Sequence, residues 1–330
     1  MTRRRATWAA LVAASSLLLA GCGEEPLPEP RPVEVDGPVP VVLDEQVESI
    51  RANVENVLAT GDEAKDAAPL TARVDGPALQ LRTARYTVAR AVADQPAPTP
   101  LSGELLLDVS PAADGWPRWF LTATRPAPDA VPQIQLLTQT GPRELYKLTA
   151  WVTMLPGTTL PETSVEEPPE ALPPTEPSGL VAAPADVVAR YADVLTKADA
   201  SEHAGAFAED PFRTQVLGEQ AAEREAVSEF FSYTVAHTPR EDAVWAVRTA
   251  DGGAVVLGVM DAVRTFTVTA EGAKLPLPAD LAALAGTPEA TKTASVTSLE
   301  MVAFVVPPEG SDDPVTVLGG ERGTLAATAS

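Results

Sequence analysis

The sequence predicts an α+β protein of two tandem related domains, each with leading helices packed on a curved, mostly antiparallel sheet. Two observations indicate this class. Apolar residues recur at helical spacing from Val47 and again from Val187, and β-rich segments follow each helical stretch. Helices that lead into runs of strands are typical of α+β layers. A third observation, the proline- and glutamate-rich segment 156–184, separates the two halves as a predicted linker.

Residues 1–21 are predicted to be a lipoprotein signal peptide. Arg3-Arg4-Arg5 precede an apolar run that is too short for a transmembrane helix, which needs about 20 residues. The run ends on Leu19-Ala20-Gly21-Cys22, which resembles the lipobox of bacterial lipoproteins. The resemblance implies that Cys22 receives a diacylglyceryl group and holds the exported protein on the outer face of the cell membrane. An ordinary signal peptide with an incidental cysteine is the alternative, and both general and twin-arginine export stay open.

Residues 22–42 are predicted to be the lipidated cysteine followed by a proline-rich tether, because so many prolines exclude a helix or an inner strand. The formal net charge of the whole chain is −22, and the leader carries three arginines and no acid. So acidic a protein is a poor partner for nucleic acid or for anionic lipid headgroups. We therefore expect the membrane link to pass through Cys22, which is the sole cysteine.

The first domain is predicted at residues 43–155. Asp44 opens a helix whose apolar stripe includes Val47, Val54 and Leu58. Alternating or β-rich sequence then predicts strands at five segments: 79–92, 103–109, 118–124, 133–138 and 144–154.

The second domain is predicted at residues 185–330. It begins with a helix near Pro184 and a second helical region at about 203–227. Asp251-Gly252-Gly253 predicts a hairpin turn, and Gly319-Gly320 is interpreted as another turn. The predicted strands are 230–238, 243–249, 254–269, 294–306 and 315–318.

Two resemblances extend over the mature chain. The order of elements in each half is similar to nuclear transport factor 2-like or cystatin-like folds, which implies a cone-shaped sheet wrapped on helices. The chain as a whole resembles actinobacterial cell-surface lipoproteins with a C-terminal domain of unknown function, which implies no activity. That second resemblance rests on the lipobox and on four segments: 116–121, 210–213, 302–311 and 317–321.

Motifs for common chemistries are missing from the sequence. It has no Gly-x-Ser-x-Gly elbow, phosphate-binding loop or dinucleotide fingerprint, and its two histidines are interpreted as surface or structural residues. We predict no cofactor, no metal site and no catalytic residue. Asp210, between Phe207 and Phe212, could instead hold a carboxyl of raised pKa, although a helix cap before Pro211 is the simpler interpretation.

The leading functional prediction is a non-catalytic, membrane-anchored envelope lipoprotein that binds or scaffolds another envelope component, with an envelope protein as the possible partner and no nucleic acid. The alternatives are a carrier of a small apolar ligand and an enzyme that uses a buried carboxylate. A ligand pocket at the mouth of each cone is predicted from aromatic residues, for which core filling is the alternative. These residues are Trp119, Trp151, Phe230, Tyr233, Trp245 and Phe304.

Overall fold

The first helix, α1 (Asp44–Ala64), forms where the apolar spacing predicts it. The Gln46 side chain accepts a hydrogen bond from the Leu43 amide at 3.1 Å, and Asp44 and Glu45 place negative charge in the first turn, which the helix dipole favours.

Our computed structural model describes residues 37–113, 115–164 and 167–330. The lipobox and most of the predicted tether lie outside the described residues. Among the helices described, none is both long and apolar enough to cross a membrane.

The second helix, α2 (Gly76–Ala91), lies where the sequence predicted a strand, so that prediction was wrong. Leu79, Leu81, Tyr86 and Val88 alternate locally, but the buried positions of the segment recur at helical spacing. Arg82, one helical turn before Tyr86, bonds the same acceptor as Tyr86, the Asp62 carboxylate, at 3.1 and 2.6 Å respectively. Tertiary contacts along one helix face thus decide the conformation of this segment.

The described part of the chain also contains ten strands, three further α-helices and three short 3₁₀ helices. The helices are α3 (Pro184–Lys197), α4 (Pro211–Val227) and α5 (Ala279–Ala285). The strands of the first half are β1 (Glu104–Val109), β2 (Arg118–Arg125), β3 (Gln133–Gln139) and β4 (Lys147–Met154). Those of the second half are β5 (Phe231–Arg248), β6 (Ala254–Val268), β7 (Leu275–Pro276), β8 (Glu289–Ala290), β9 (Thr293–Val306) and β10 (Thr316–Ala329).

One curled, antiparallel, eight-stranded sheet runs through both halves in the order β1-β2-β3-β4-β10-β9-β6-β5. The α+β class is thereby confirmed. The halves join along a seam between β4 and β10, where Gly319 pairs with Met154 and Gly320 pairs with Thr153. Residues 38–330 form one compact unit. The tandem two-domain arrangement is therefore not confirmed.

The two faces of the sheet carry different helices. In β9, Leu299 and Met301 point into a core that also contains Val47 and Leu58 of α1. The next residue, Val302, belongs to the separate core that contains Val187 and Val188 of α3. Strands of the second half thus complete the core under the first-half helices, which is why residues 38–330 form one compact unit.

The last strand, β10, continues to Ala329, well past the predicted strand end at Leu318. Gly319 and Gly320 lie inside the strand, so their interpretation as a turn was wrong. A Cβ atom on Gly320 would overlap the Phe212 ring, and one on Gly319 would lie 2.7 Å from the Thr153 carbonyl oxygen. These glycines permit close packing at the centre of the sheet.

Candidate functional site

An open groove lies between the first half of α1 and the ends of β2 and β3. We call it the Trp116 groove. Its volume is about 710 Å³, within the range of small-ligand sites. Its lining comprises Val41, Glu45, Gln46, Ser49, Ile50, Trp116, Arg118, Gln139, Pro142 and Tyr146.

Tyr146 forms the rigid floor of the Trp116 groove. Its ring packs edge-to-face on Phe120 with centroids 5.1 Å apart, and its hydroxyl donates to the Val41 carbonyl oxygen at 3.0 Å. Burial raises the pKa of Tyr146 to about 12, so the hydroxyl keeps its proton and remains a donor at neutral pH. The contact ties the chain entering α1 to the residue just before β4.

Trp116 and Arg118 form one wall of the groove. The Arg118 guanidinium lies 4.6 Å from the centroid of the Trp116 ring, a cation–π arrangement. Trp116 remains 38% exposed, whereas the Arg118 Nε atom is buried without a hydrogen-bond partner among the described residues. The guanidinium thus supports one part of the indole while another part stays open to solvent.

Two amide side chains present polar atoms to the groove from positions that the fold fixes. Gln139 donates its Nε2 to the Glu144 carbonyl oxygen at 2.6 Å, and the Oε1 of Gln46 accepts the Leu43 amide. In each side-chain amide, one of the two polar atoms is therefore hydrogen-bonded to the backbone. The other ends, Gln139 Oε1 and Gln46 Nε2, make no hydrogen bond within the described residues and are available to a ligand.

A buried polar network connects α4 to the other face of the sheet. The Nδ1 atom of His237 lies 2.8 Å from the Glu300 Oε2, and the Nε2 atom lies 2.9 Å from the Gln220 amide nitrogen. Donation from Nδ1 leaves Nε2 to accept from Gln220. Arg322 Nε lies 3.2 Å from Glu300 Oε1, and Arg322 also pairs with Glu219. The side chains of His237 and Glu300 are fully buried.

Sequence reasoning missed this network because its members lie far apart in the chain. His237 precedes Glu300 by 63 residues, and the two come together only through the pairing of β5, β6 and β9. The network connects α4 to three strands, so it helps to hold α4 against the sheet.

Asp210 combines both interpretations made from the sequence. It is the N-cap of α4 and accepts the Arg213 amide at 2.7 Å, and the Tyr191 hydroxyl donates to it at 3.0 Å. The pKa of Asp210 is raised, chiefly because burial penalises the charged carboxylate. Burial and the same bond raise the pKa of Tyr191 far above its ordinary value. This carboxyl is therefore a buried helix cap whose pKa is raised by desolvation even though it accepts hydrogen bonds from the Arg213 amide and the Tyr191 hydroxyl.

The six aromatic residues predicted to line a pocket lie in separate places. Trp119, Trp151 and Trp245 pack with the core under α1 and α2, whereas Phe304 packs against Tyr191 on the opposite face. Tyr233 packs on Phe266 near the ends of the long strands, and Phe230 is 44% exposed. None of the six lines the Trp116 groove. A pocket formed by them stays a prediction.

No group of three or more His, Cys, Asp or Glu side chains is arranged to hold a metal ion within residues 37–113, 115–164 and 167–330. Cys22 lies outside these ranges, so its lipidation stays a prediction. The candidate site of the described chain is therefore the Trp116 groove, an open groove in which an exposed aromatic ring is surrounded by fixed polar groups.

Comparison with known proteins identifies one relationship. No curated protein and no solved structure matches the chain. A family described as "Domain of unknown function (DUF8094)" matches residues 38–329, which includes every strand and helix of the eight-stranded unit. The chain belongs to this family of unknown function, DUF8094.

Proposed function

We propose that the protein is a lipid-anchored envelope lipoprotein of an actinobacterium, and that it binds another envelope component in the Trp116 groove. The groove is the observation that carries the proposal. It combines an exposed indole, a stacked guanidinium and two oriented amides on a floor fixed by Tyr146. Such a convergence of polar groups around an apolar surface is typical of a binding site.

The sequence supports the anchored location. Leu19-Ala20-Gly21-Cys22 provides the lipidation motif, and the two acyl chains of a diacylglyceryl group attach stably where one chain would be marginal. The groove includes Val41, close to where the folded unit begins at Pro38. A component of the envelope surface is therefore within reach of a tethered protein.

Membrane fractionation tests the anchor. Cys22→Ala removes the acylated thiol, and we expect the variant to move from the membrane fraction to the soluble exported fraction. Unchanged membrane retention of a folded variant contradicts lipidation at Cys22.

Photocrosslinking in living cells tests the groove. A benzophenone amino acid at the exposed groove residue Ser49 should yield an adduct, identified by its mass after purification of the full chain. The same substitution at Ser232, an exposed serine of β5, is the matched control. Adduct formation at Ser49 no greater than at Ser232 contradicts binding in the groove.

Carriage of a small apolar ligand is a second candidate, favoured by a cleft between α2, α5 and β10. The cleft has a volume of about 430 Å³ and includes Leu79, Leu284 and Leu325 in its lining. Native mass spectrometry of the protein extracted from its own membranes should show a ligand adduct. Thr83→Trp fills the cleft from an exposed position and should remove the adduct. Wild-type protein without an adduct contradicts carriage.

A further inference from the structure

We propose that the occupant of the Trp116 groove is a short, uncharged oligosaccharide. This inference rests on the proposed function, because it assigns the chemical class of the component that the same groove binds. The open indole of Trp116 is its first basis. A sugar ring has a face of C–H groups that packs against an aromatic face, while its hydroxyls point outward at the ring edge. An exposed tryptophan beside hydrogen-bonding groups matches both properties.

The polar atoms of the groove match hydroxyl groups rather than an apolar chain. Gln46 and Gln139 offer a donor and an acceptor from amides whose other ends are bonded to the fold. Ser49 and the carboxylate of Glu45 lie beside them on α1. Hydroxyls both donate and accept, so this mixture can be satisfied by a saccharide, whereas an apolar ligand would bury these groups unpaired.

Charge selects an uncharged saccharide over a polyanion. The groove holds one cation, Arg118, and one carboxylate, Glu45, among its lining residues. Arg118 is already stacked on the indole. The chain as a whole carries a formal charge of −22, which repels polyanionic ligands. A uronic acid polymer or a phosphate-rich chain is therefore disfavoured.

A peptide is the main competing occupant. Proline-rich peptides bind in grooves that several aromatic side chains line. Here Trp116 is the exposed aromatic residue of the groove, and the ring of Tyr146 is buried in the floor. A second exposed aromatic ring is missing from the lining, so the groove fits a single stacked sugar ring with hydrogen bonds around it better than a polyproline helix.

Binding of defined trisaccharides to the full-length lipidated protein in detergent micelles tests the proposal. The probe is the trimer of β-1,4-linked N-acetylglucosamine, with trigalacturonic acid as the charged comparison and hexaproline as the peptide comparison. Saturation-transfer NMR reports contact, and titration reports affinity. We expect the uncharged trisaccharide to bind and the two comparison ligands to bind at least about tenfold more weakly.

Variants locate the site. Trp116→Ala should weaken binding of the trisaccharide about tenfold, whereas Trp116→Phe retains an aromatic face and should retain most of the affinity. Phe230→Ala is the matched control, because Phe230 is a similarly exposed aromatic residue outside the groove. Thermal unfolding of each variant verifies that it is folded.

The outcomes separate this inference from the proposed function. Weaker trisaccharide binding in Trp116→Ala, but not in Trp116→Phe or Phe230→Ala, supports a saccharide as the occupant of the groove. An unaffected Trp116→Ala variant, absence of trisaccharide binding, or preferential binding of hexaproline overturns it. A peptide adduct on the Ser49 photocrosslinker overturns the saccharide while supporting the groove as a binding site. Absence of any Ser49 adduct overturns both.

Discussion

Gly319→Ala tests whether the two halves depend on one another at the seam between β4 and β10. The new Cβ would lie 2.7 Å from the Thr153 carbonyl oxygen and 3.0 Å from the Met154 Cα, where ordinary contacts begin at 3.4 Å. Both are backbone atoms, so no side-chain rotation relieves the overlap. Overpacking of this kind costs about 1–3 kcal/mol.

Opening the seam would add to that cost. The Leu155 amide donates to the Leu318 carbonyl oxygen at 2.8 Å, and the Thr158 hydroxyl donates to the same oxygen at 2.9 Å. Each such bond contributes about 1 kcal/mol to stability. We therefore expect Gly319→Ala to lower the free energy of unfolding by about 3–5 kcal/mol.

Guanidinium denaturation of the full-length protein, followed by tryptophan fluorescence, measures this change. Hydrogen exchange resolved by peptides of residues 104–154 and 231–329 reports each half. We expect one shared transition at a lower midpoint and faster exchange in both halves. Gly218→Ala is the control, because Gly218 is an exposed residue of α4 where an added Cβ would meet no atom within 4 Å, and it should stabilise by about 0.5–1 kcal/mol. A seam variant within about 0.5 kcal/mol of wild type, or one that loosens only the second half, refutes the reasoning.

Two further predictions concern buried polar groups. Glu300→Ala leaves His237 and Arg322 without their shared partner. We therefore expect the free energy of unfolding, measured with denaturant, to fall by about 3–5 kcal/mol. A fall below about 1 kcal/mol contradicts a stabilising role for the polar network between α4 and the sheet. For Asp210, the folded pKa is above the unfolded value of 3.8, so the native state binds the proton more tightly and stability falls as pH rises from the unfolded pKa through the folded pKa. Asp210→Asn keeps an acceptor for the Arg213 amide and should remove this fall in unfolding scans from about pH 3 to about pH 7, whereas an unchanged slope contradicts the raised pKa.

Local sequence patterns predicted several helices and strands close to their observed bounds. The stripe of Val47, Val54 and Leu58 gave α1, and alternation gave β2, β3 and β9 nearly at their bounds. The α+β class followed from the order of these elements. The segment that forms α2 misled because its apolar residues fit a strand locally, while Arg82 reaches Asp62 only in the folded chain.

The arrangement of the sheet was beyond local patterns. Nothing near these residues in the sequence shows that β4 approaches Gly319 or that the Phe212 ring approaches Gly320, so the two glycines resembled a turn. The candidate site was hidden for a similar reason. In the sequence, Trp116 stood out only as part of segment 116–121 of the resemblance to other lipoproteins, and its role in the groove depends on the position of α1 across the sheet. The aromatic residues that drew attention instead lie mainly in strands, where they pack in the cores.

The position of β10 has a consequence for how the protein is made. β10 is last in the chain, yet it sits between β4 and β9 in the middle of the sheet. The open side of β4 is therefore paired only after residues 316–329 are available. Contacts between such distant residues slow folding and leave strand edges exposed for longer. A chain synthesised from its N-terminus therefore cannot complete this sheet until β10 has been made, and the edge of β4 that β10 covers stays unpaired until then.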